Sequence, residues 1–339
     1  MSVRVAAAKN RLAVLLSAGF ALHCGPSWAA DPPPPLTPAA DTQPTVPEEI
    51  EITGERPGPS LWRVAKGDHV LWILGTLDPL PRKMEWRSRE VESVITEAQE
   101  VLYEQPAVTV HGNPFTWVRV YLRWRHVQTI PNGDTLKDWI APDIFARFRA
   151  LEARFDPHDS RTETLRPIFA ALRLYGRALD VSRLTPGDQT EQSVLKLARK
   201  HRVHIRQPTL SIDDPTGLVA QLGEIPRDAH VGCLEAIVER LETGLEPMKA
   251  AARAWAIGDV ETLRRLSHPR DIDICTDAVA TSPRMKQLID RTTNAWNTEL
   301  EAAIERNHTT LAMSSIYDVL GSTGTLAKLR SKGYQVEGP

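Results

Sequence analysis

The run Leu71-Trp72-Ile73-Leu74-Gly75-Thr76-Leu77-Asp78 is typical of a buried β-strand that ends in a loop carrying a carboxylate. Near the other end of the chain, Thr310-Leu311-Ala312-Met313-Ser314 is a second predicted strand, and Ser315-Ile316-Tyr317-Asp318 follows it. Each segment places an aspartate three residues after a small residue. Because loops at the ends of neighbouring strands meet at one edge of a sheet, we expect Asp78 and Asp318 to share a cleft there.

Further strands are predicted near both ends of the chain, whereas the middle is predicted to be almost wholly helical. Apolar runs and turn residues predict strands at 61–64, 70–74, 100–104, 203–205, 310–314 and 334–337. Helical periodicity predicts helices at 87–99, 115–128, 142–154, 163–179, 188–200, 214–223, 228–244, 247–257, 259–266, 283–307 and 319–331. The expected fold class is α/β (α+β), with a central mixed sheet built from both chain ends and a large, mostly helical middle insertion.

Glu104 ends one of these predicted strands and would bring a third carboxylate to Asp78 and Asp318. Three carboxylates at close range need a cation or shared protons, which predicts a hard divalent ion such as manganese, magnesium or calcium. The alternative is that the guanidinium of Arg306 neutralises the pocket without a metal. Each aspartate also has a structural interpretation, since Asp78 precedes Pro79 as a turn residue and Asp318 precedes the last helix as a cap.

Residues 1–29 are predicted to be a signal peptide. Basic residues precede the apolar run 12–22, and Ser27-Trp28-Ala29 supplies small residues for cleavage before Ala30. The apolar run is too short to span a bilayer as a permanent helix, so no integral membrane span is expected after signal removal. The protein is therefore predicted to be periplasmic or secreted, and an uncleaved N-terminal anchor is the alternative.

Residues 30–59 are predicted to form a Pro-rich linker in front of a folded domain at 60–337. Pro32 to Pro35 is a run of four prolines, and five more prolines follow before residue 60. Such a segment buries too little apolar surface to fold and favours extended conformations. Its expected role is that of a spacer, and partner binding is the alternative.

Two cysteines, Cys233 and Cys275, remain after removal of the signal peptide. An isolated pair in an oxidising compartment is by default a disulfide. A bond between Cys233 and Cys275 would close a loop of about 42 residues and stabilise the protein by roughly 3–4 kcal/mol. A catalytic cysteine is the alternative, although no histidine-based activation signal lies near either residue in the sequence.

The composition is that of an ordinary globular protein and excludes one class of partner. The chain has 339 residues, 42% hydrophobic and 25% charged, with a formal net charge of −2. This charge gives no case for nucleic acid as a partner. Trp117, Tyr121 and Trp124 recur at helical spacing and predict the buried face of an amphipathic helix, with a ligand-lining aromatic patch as the alternative.

The residues around both aspartates resemble the TraB/GumN family, which includes the animal Tiki proteins. The first family signature is a strand, then Gly-Thr-Ile-His, and later a strand that ends in Glu; here these positions hold Gly75 to Asp78 and Glu104. The second signature is Arg-Asn, then Gly-Ala-x-His-Leu; here these positions hold Arg306-Asn307 and Ser315 to Asp318. The resemblance covers about residues 57 to 337 and also includes the segments around Cys233 and Cys275.

The family is proposed to bind a divalent metal and, in its animal members, to cleave peptides. The resemblance implies that two histidines supply imidazole ligands, yet Asp78 and Asp318 stand at both of those positions. A glutamate that the family often has after a middle strand is replaced here by Gln207. Imidazole suits ions such as zinc, whereas carboxylates suit magnesium, calcium and manganese. The combined changes indicate that the inherited site is degenerate rather than a simple exchange of ligands.

The resemblance therefore implies a protein with little or no catalysis that binds a peptide or an envelope component, with no cofactor. Glu104, Arg306 and Asn307 match the retained family positions and are the candidate catalytic residues. The first alternative is an active metal-dependent peptidase, in which Asp78, Glu104 and Asp318 bind manganese, magnesium or calcium and Arg306 stabilises an oxyanion. The second alternative is a structural or interaction module.

Overall fold

A six-stranded mixed sheet, built from strands at both ends of the chain, organises the fold. The computed structural model describes residues 2–5, 58–86, 89–157, 161–185, 187, 189–266 and 270–339. Most of the predicted signal peptide and linker lies outside these described residues.

The described strands and helices have the following bounds. The strands are β1 (Ser2–Val5), β2 (Leu61–Lys66), β3 (His69–Thr76), β4 (Leu80–Pro81), β5 (Glu100–Tyr103), β6 (Ala107–His111), β7 (Leu184–Thr185), β8 (His204–Arg206), β9 (Thr209–Ile212), β10 (Thr309–Ser315) and β11 (Gln335–Glu337). The helices are α1 (Arg89–Glu97), α2 (Pro114–Gln128), α3 (Leu136–Trp139), α4 (Pro142–Phe155), α5 (Pro167–Val181), α6 (Gln189–Lys200), α7 (Pro215–Leu222), α8 (Arg227–Thr243), α9 (Glu246–Ala256), α10 (Val260–Leu266), α11 (Arg270–Ala280), α12 (Pro283–Arg306), α13 (Ile316–Leu320) and α14 (Thr325–Ser331).

The order of strands in the main sheet is β11-β2-β3-β10-β5-β8. Strand β10 pairs in parallel with β3 on one side and with β5 on the other, and β5 pairs in parallel with β8. On the other side of β3, β2 pairs antiparallel with β3, and β11 pairs antiparallel with β2. In this register Ser315 is opposite Thr76 and Met313 is opposite Tyr103. The segments that follow β3, β5 and β10 therefore all leave the sheet at the carboxyl-terminal ends of these strands, which we call the Asp78 edge. The predicted fold class is confirmed.

Both faces of the parallel strands are buried, as expected of strands that are covered by helices on each side. Leu71, Ile73 and Leu102 are fully buried and belong to one core with side chains from α1, α6, α9 and α12. The indole of Trp255 on α9 donates a hydrogen bond to the carbonyl of Gly75 at 2.7 Å. This contact ties the helical middle directly to the end of β3.

The helical middle has a second core, and a disulfide lies inside it. Helices α4, α5, α8 and α11 contribute most of its buried side chains. Cys233 on α8 and Cys275 on α11 are bonded, with their Cα atoms 4.6 Å apart. The predicted pairing of the two cysteines is therefore confirmed.

Two local differences from the sequence prediction affect the surface. A second sheet, in the order β1-β6-β9, lies beside the main one, although no strand was predicted at 107–111 or 209–212. The single helix expected at 319–331 is two helices, α13 and α14, because the chain turns through Gly321 and Gly324 between them. A Cβ atom at Gly324 would lie 1.7 Å from the carbonyl oxygen of Asp318, so only glycine fits there.

Candidate functional site

The three predicted carboxylates lie at the edge of the sheet where β3, β5 and β10 end. Asp78 is two residues past β3, Glu104 directly follows β5, and Asp318 is on α13, which begins where β10 ends. Each of the three side chains is partly buried. Their common edge follows from the parallel pairing of the strands, but the partners of each carboxylate decide what the edge can do.

Asp78 is held by the loop that precedes α6. Its Oδ1 atom accepts a hydrogen bond from the backbone N–H of Gly187 at 2.7 Å. The phenol of Tyr317 is affected by two charges of opposite sign. Burial raises the pKa of Tyr317, the positive charge of Arg240 opposes this rise, and the negative charge of Asp78 adds to it. Tyr317 is thus close enough to both Asp78 and Arg240 to feel their charges, a relationship that the sequence did not indicate.

Glu104 connects two of the parallel strands at their ends. Its Oε2 atom accepts hydrogen bonds from the hydroxyl of Ser314 at 3.0 Å and from the backbone N–H of Ser315 at 3.1 Å. The hydroxyl of Thr76 in turn donates to the carbonyl of Ser314 at 3.2 Å. These bonds fix the ends of β3, β5 and β10 relative to one another.

Asp318 is directed at the start of the last helix. Its Oδ2 atom accepts from the backbone N–H of Thr325 at 3.1 Å and also from the hydroxyl of Thr325. The first amides of a helix have no partner within the helix, and the helix dipole favours a negative charge there. The capping role predicted for Asp318 as one alternative is therefore what this carboxylate performs.

The residues present do not fit the divalent metal site that the family resemblance implies. Within the part of the chain that the structure describes, Asp78, Glu104 and Asp318 do not bring their oxygens within 4.8 Å of one another, whereas one other group does so. The donor set contains no imidazole, and each carboxylate accepts hydrogen bonds from protein groups. The three predicted carboxylates are present at this edge, but their oxygens are not arranged to bind one shared ion.

Arg306 and Asn307 lie at the opposite edge of the sheet from Glu104. The guanidinium of Arg306 donates to Oε2 of Glu100 at 2.6 Å, and the amide of Asn307 donates to the same oxygen at 3.0 Å. Glu100 is the first residue of β5 and Glu104 follows its last, which separates them by roughly 13 Å of extended chain. The structure therefore does not bring Arg306 and Asn307 to the three predicted metal-binding carboxylates.

Glu100 was not among the predicted site residues, and it is the most deeply buried member of this network. Its side chain is 4% exposed, and Arg206 on β8 donates to its Oε1 atom at 2.6 Å. Burial alone would raise the pKa of Glu100, but hydrogen bonds from Arg206 and Arg306 outweigh it and hold the pKa below its ordinary value. The network ties β5, β8 and the end of α12 together and is structural in character.

A different surface, on α2, has large exposed apolar side chains, and one of them, Tyr121, was predicted to lie on the buried face with Trp117 and Trp124, which are partly buried. Asn113 and Thr116 form a capping box and Pro114 occupies the first turn, so the helix begins there. The helix buries Val127 and packs Trp124 edge-on against Phe169 with ring centroids 5.5 Å apart. The predicted burial of Tyr121 is wrong.

The exposed apolar face of α2 consists of Phe115, Val118, Tyr121 and Leu122, with 79%, 57%, 55% and 59% of their surface accessible. Phe115, Val118 and Leu122 are spaced by three and four residues, so they lie on one side of the helix. The signal was present in the sequence, because the apolar residues of this helix are spread over roughly two thirds of its circumference. A single buried face cannot accommodate such a pattern.

A groove of about 950 Å³ runs beside this face, between α2 and the start of α7. On the α2 side it is lined by Arg119, Arg123 and His126, and Leu122 belongs to both the groove and the exposed face. Asp213 and Asp214 line the opposite wall. Asp214 caps α7 by accepting from the N–H of Gly217 at 2.8 Å. The α2 helix contains basic residues but no acidic ones, so its exposed surface is positively charged.

Comparison with known proteins gives one match. A sequence model described as the TraB/PrgY/gumN family matches residues 60–338. No curated protein and no solved structure matches the chain. None of the helices that the structure describes is both long enough and apolar enough to cross a bilayer.

Proposed function

Because the chain belongs to the TraB/PrgY/gumN family, we propose that it is an exported member with a degenerate metal site, which binds a peptide and has little or no hydrolytic activity. The family match includes every helix and strand that the structure describes except β1. What separates this protein from a metal-dependent peptidase is the chemistry at the edge where β3, β5 and β10 end.

The observation that carries this proposal is the bonding of Asp318. Its Oδ2 atom accepts two hydrogen bonds from Thr325 at the first turn of α14. A carboxylate that accepts hydrogen bonds at the N-terminus of a helix stabilises the helix without any bound ion. Asp78 and Glu104 are likewise bonded to backbone amides, at Gly187 and Ser315. These contacts support structural roles for the residues that replace or surround the family's ligands.

The location of the protein forms part of the proposal. The disulfide between Cys233 and Cys275 supports an oxidising compartment, because such bonds are rare in reducing ones. Together with the basic and apolar segment at the start of the sequence, it favours a periplasmic or secreted protein.

The α2 surface is the site that we assign to the peptide. Large exposed apolar side chains rimmed by polar groups mark interaction sites in otherwise ordinary soluble domains. Arg119, Arg123 and His126 line the groove beside Leu122, so a complementary peptide carries carboxylates next to aliphatic or aromatic side chains. The proposed partner is therefore an acidic peptide segment with apolar anchors.

The absence of hydrolysis is tested with a fluorogenic peptide library incubated with the mature protein. The proposal predicts no cleavage above background with manganese, calcium or zinc, and the same melting temperature with and without chelator. Cleavage that depends on a metal and disappears in Asp78→Ala would establish the alternative, an active peptidase. A Glu261→Ala variant, which changes an exposed carboxylate far from this edge in sequence, serves as the control.

Peptide binding is tested by selecting a random peptide library on the immobilised mature protein. The selected sequences should be enriched in Asp and Glu beside apolar residues, and their affinity should fall at least tenfold in Leu122→Glu, about 1.4 kcal/mol. Val181→Glu is a matched control, because Val181 is 56% exposed but lies on α5. Selected peptides that bind Leu122→Glu equally well would contradict the assignment. Loss of anionic-vesicle binding or of self-association in that variant, without acidic peptides, would also contradict it.

A further inference from the structure

Asp68, His69 and His308 form a cluster at the edge of the sheet opposite to Asp78. Asp68 lies in the turn between β2 and β3, His69 is the first residue of β3, and His308 precedes β10. The parallel register pairs Thr309 with Val70, so the two histidines are neighbours on adjacent strands. One nitrogen from each imidazole and one oxygen of Asp68 all lie within 4.8 Å of one another.

The hydrogen bonding of His69 sets which of its ring nitrogens is available. Its Nδ1 atom is 2.6 Å from the carbonyl oxygen of Ile304. A carbonyl can only accept a hydrogen bond, so Nδ1 carries the proton and the neutral ring keeps a lone pair on Nε2. This Nε2 atom faces Asp68 Oδ1 at 3.7 Å. Metal-binding histidines are commonly oriented in this way, with the second nitrogen bonded to a backbone carbonyl.

The distances within the cluster match those between ligands of one ion. The Nδ1 atom of His308 lies 3.4 Å from Oδ2 of Asp68, and the two imidazole centroids are 4.7 Å apart. Ligands at about 2.0–2.1 Å from a tetrahedral zinc ion are separated by roughly 3.3 Å. The contact of His308 with Oδ2 is close to that value, and the 3.7 Å contact of His69 with the other oxygen, Oδ1, is somewhat longer. Both are longer than the roughly 2.7–2.9 Å typical of a charge-assisted hydrogen bond.

We propose that Asp68, His69 and His308 bind a borderline divalent cation of the zinc, nickel or copper class. Two imidazole nitrogens and one carboxylate oxygen suit these ions better than magnesium or calcium. The side chains of Asp68 and His308 are 80% and 68% exposed, so water completes the coordination shell and ions reach the site from solvent.

This site is independent of the family's inherited site and of the proposed function. Strand β3 has eight residues, which places His69 roughly 23 Å from the strand end that precedes Asp78. No residue is shared between the two edges. A protein that has lost imidazole ligands at one edge of its sheet therefore presents them at the other.

The test uses the mature protein without a polyhistidine tag, titrated calorimetrically with zinc and with copper. We expect one ion per chain with a dissociation constant in the micromolar range, and at least a tenfold weaker affinity in His308→Ala. In the copper protein, electron paramagnetic resonance should show hyperfine coupling to two nitrogens, reduced to one in that variant. His204→Ala is the control, because this histidine is also exposed, beside Glu100.

Equal metal affinity in His308→Ala and the parent protein would overturn the proposal, as would the absence of measurable binding. The side chain of His308 is exposed, and a thermal melt checks that the variant is folded. Asp68→Asn, which keeps one acceptor oxygen but removes the charge, should weaken zinc binding without abolishing the two-nitrogen copper signal.

Discussion

The side chain of Asp318 accepts hydrogen bonds from both the amide and the hydroxyl of Thr325, seven residues further along the chain. The carboxylate therefore fixes the turn between α13 and α14 and is not directed at a common point with Asp78 and Glu104. Asp318 thus acts as a cap of α14.

Substitutions at Asp318 separate a structural role from a metal-binding role. Asp318→Ala removes both hydrogen bonds from Thr325 and should lower the free energy of unfolding by about 1 kcal/mol. Asp318→Asn retains an acceptor oxygen and should lose less than half of that. Urea denaturation of the two variants measures the difference. Equal destabilisation would show that the charge, and not the hydrogen bonds, is what the fold requires.

Glu100 is expected to contribute more to stability than any carboxylate at the Asp78 edge. Glu100→Gln leaves Arg206 and Arg306 without their buried partner and should cost about 3 kcal/mol. Glu305→Gln breaks the exposed pair with Lys66 and should change stability far less, because solvent screens an exposed pair. Chemical denaturation at neutral pH compares the two variants. A smaller loss in Glu100→Gln than in Glu305→Gln would refute the structural role of the network.

The hydrogen-bond network of Glu100 also predicts that the free energy of unfolding falls in acid. Because the pKa of Glu100 is lower in the folded protein than in the unfolded chain, its stabilisation is complete above the unfolded value of about 4.3. It is lost as the pH falls from there through the folded pKa. The parent protein should therefore lose stability in this range more steeply than Glu100→Gln. Parallel curves for the two proteins would be inconsistent with this assignment.

The burial of His230 predicts a second pH dependence of the stability of the protein, at higher pH than that of Glu100. Its ring is fully buried on α8, and neither nitrogen has a hydrogen-bond partner among the described residues. Burial, with a smaller effect of Arg166, lowers the pKa of His230 to about 4. The unfolded chain takes up the proton near pH 6.5, so stability falls between about pH 6.5 and 4, by on the order of 3 kcal/mol.

The variant His230→Leu should remove this dependence while it keeps the apolar packing near Trp139. Melting temperatures measured across this pH range would then be nearly constant for the variant, apart from the contribution of other groups. His204→Leu, at an exposed histidine, should retain the slope of the parent protein. A slope that persists in His230→Leu would assign it to another residue.

The disulfide is expected to contribute a large part of the stability of the helical core. Cys233 and Cys275 are 42 residues apart, and loss of such a cross-link costs roughly 3–4 kcal/mol in the chain-entropy estimate. The double variant Cys233→Ser, Cys275→Ser should therefore melt at a lower temperature than the parent protein. Reductant should lower the melting temperature of the parent towards that of the variant and leave the variant unchanged. A reductant effect on the variant would indicate another cause.

The long, strongly patterned elements could be predicted from the sequence. The apolar run that ends at Thr76 and the run that ends at Ser315 are buried on both sides, and their hydrophobicity alone identifies them as central strands. The short strands β6 and β9 alternate buried and exposed residues over four or five positions only. That is too few to distinguish them from irregular chain, and their pairing depends on tertiary context.

The site was predictable in its position but not in its contacts. Strand order placed Asp78, Glu104 and Asp318 at one edge, because parallel strands end together. The partner of Arg306 was not predictable, because Glu100 and Glu104 stand at opposite ends of one strand and only the direction of α12 selects between them. Likewise, no local pattern indicates that Asp68 and His69 meet His308, more than two hundred residues away in the chain.

The most direct test of the account is a calorimetric titration of His308→Ala with manganese, calcium and zinc, since this variant lacks the proposed Asp68, His69 and His308 site. We predict no binding of manganese or calcium, and only the weakened zinc binding that Asp68 and His69 retain, because Asp78, Glu104 and Asp318 are bonded to Gly187, Ser314, Ser315 and Thr325. Binding of one ion per chain that disappears when Asp78→Ala is added to this variant would contradict the account.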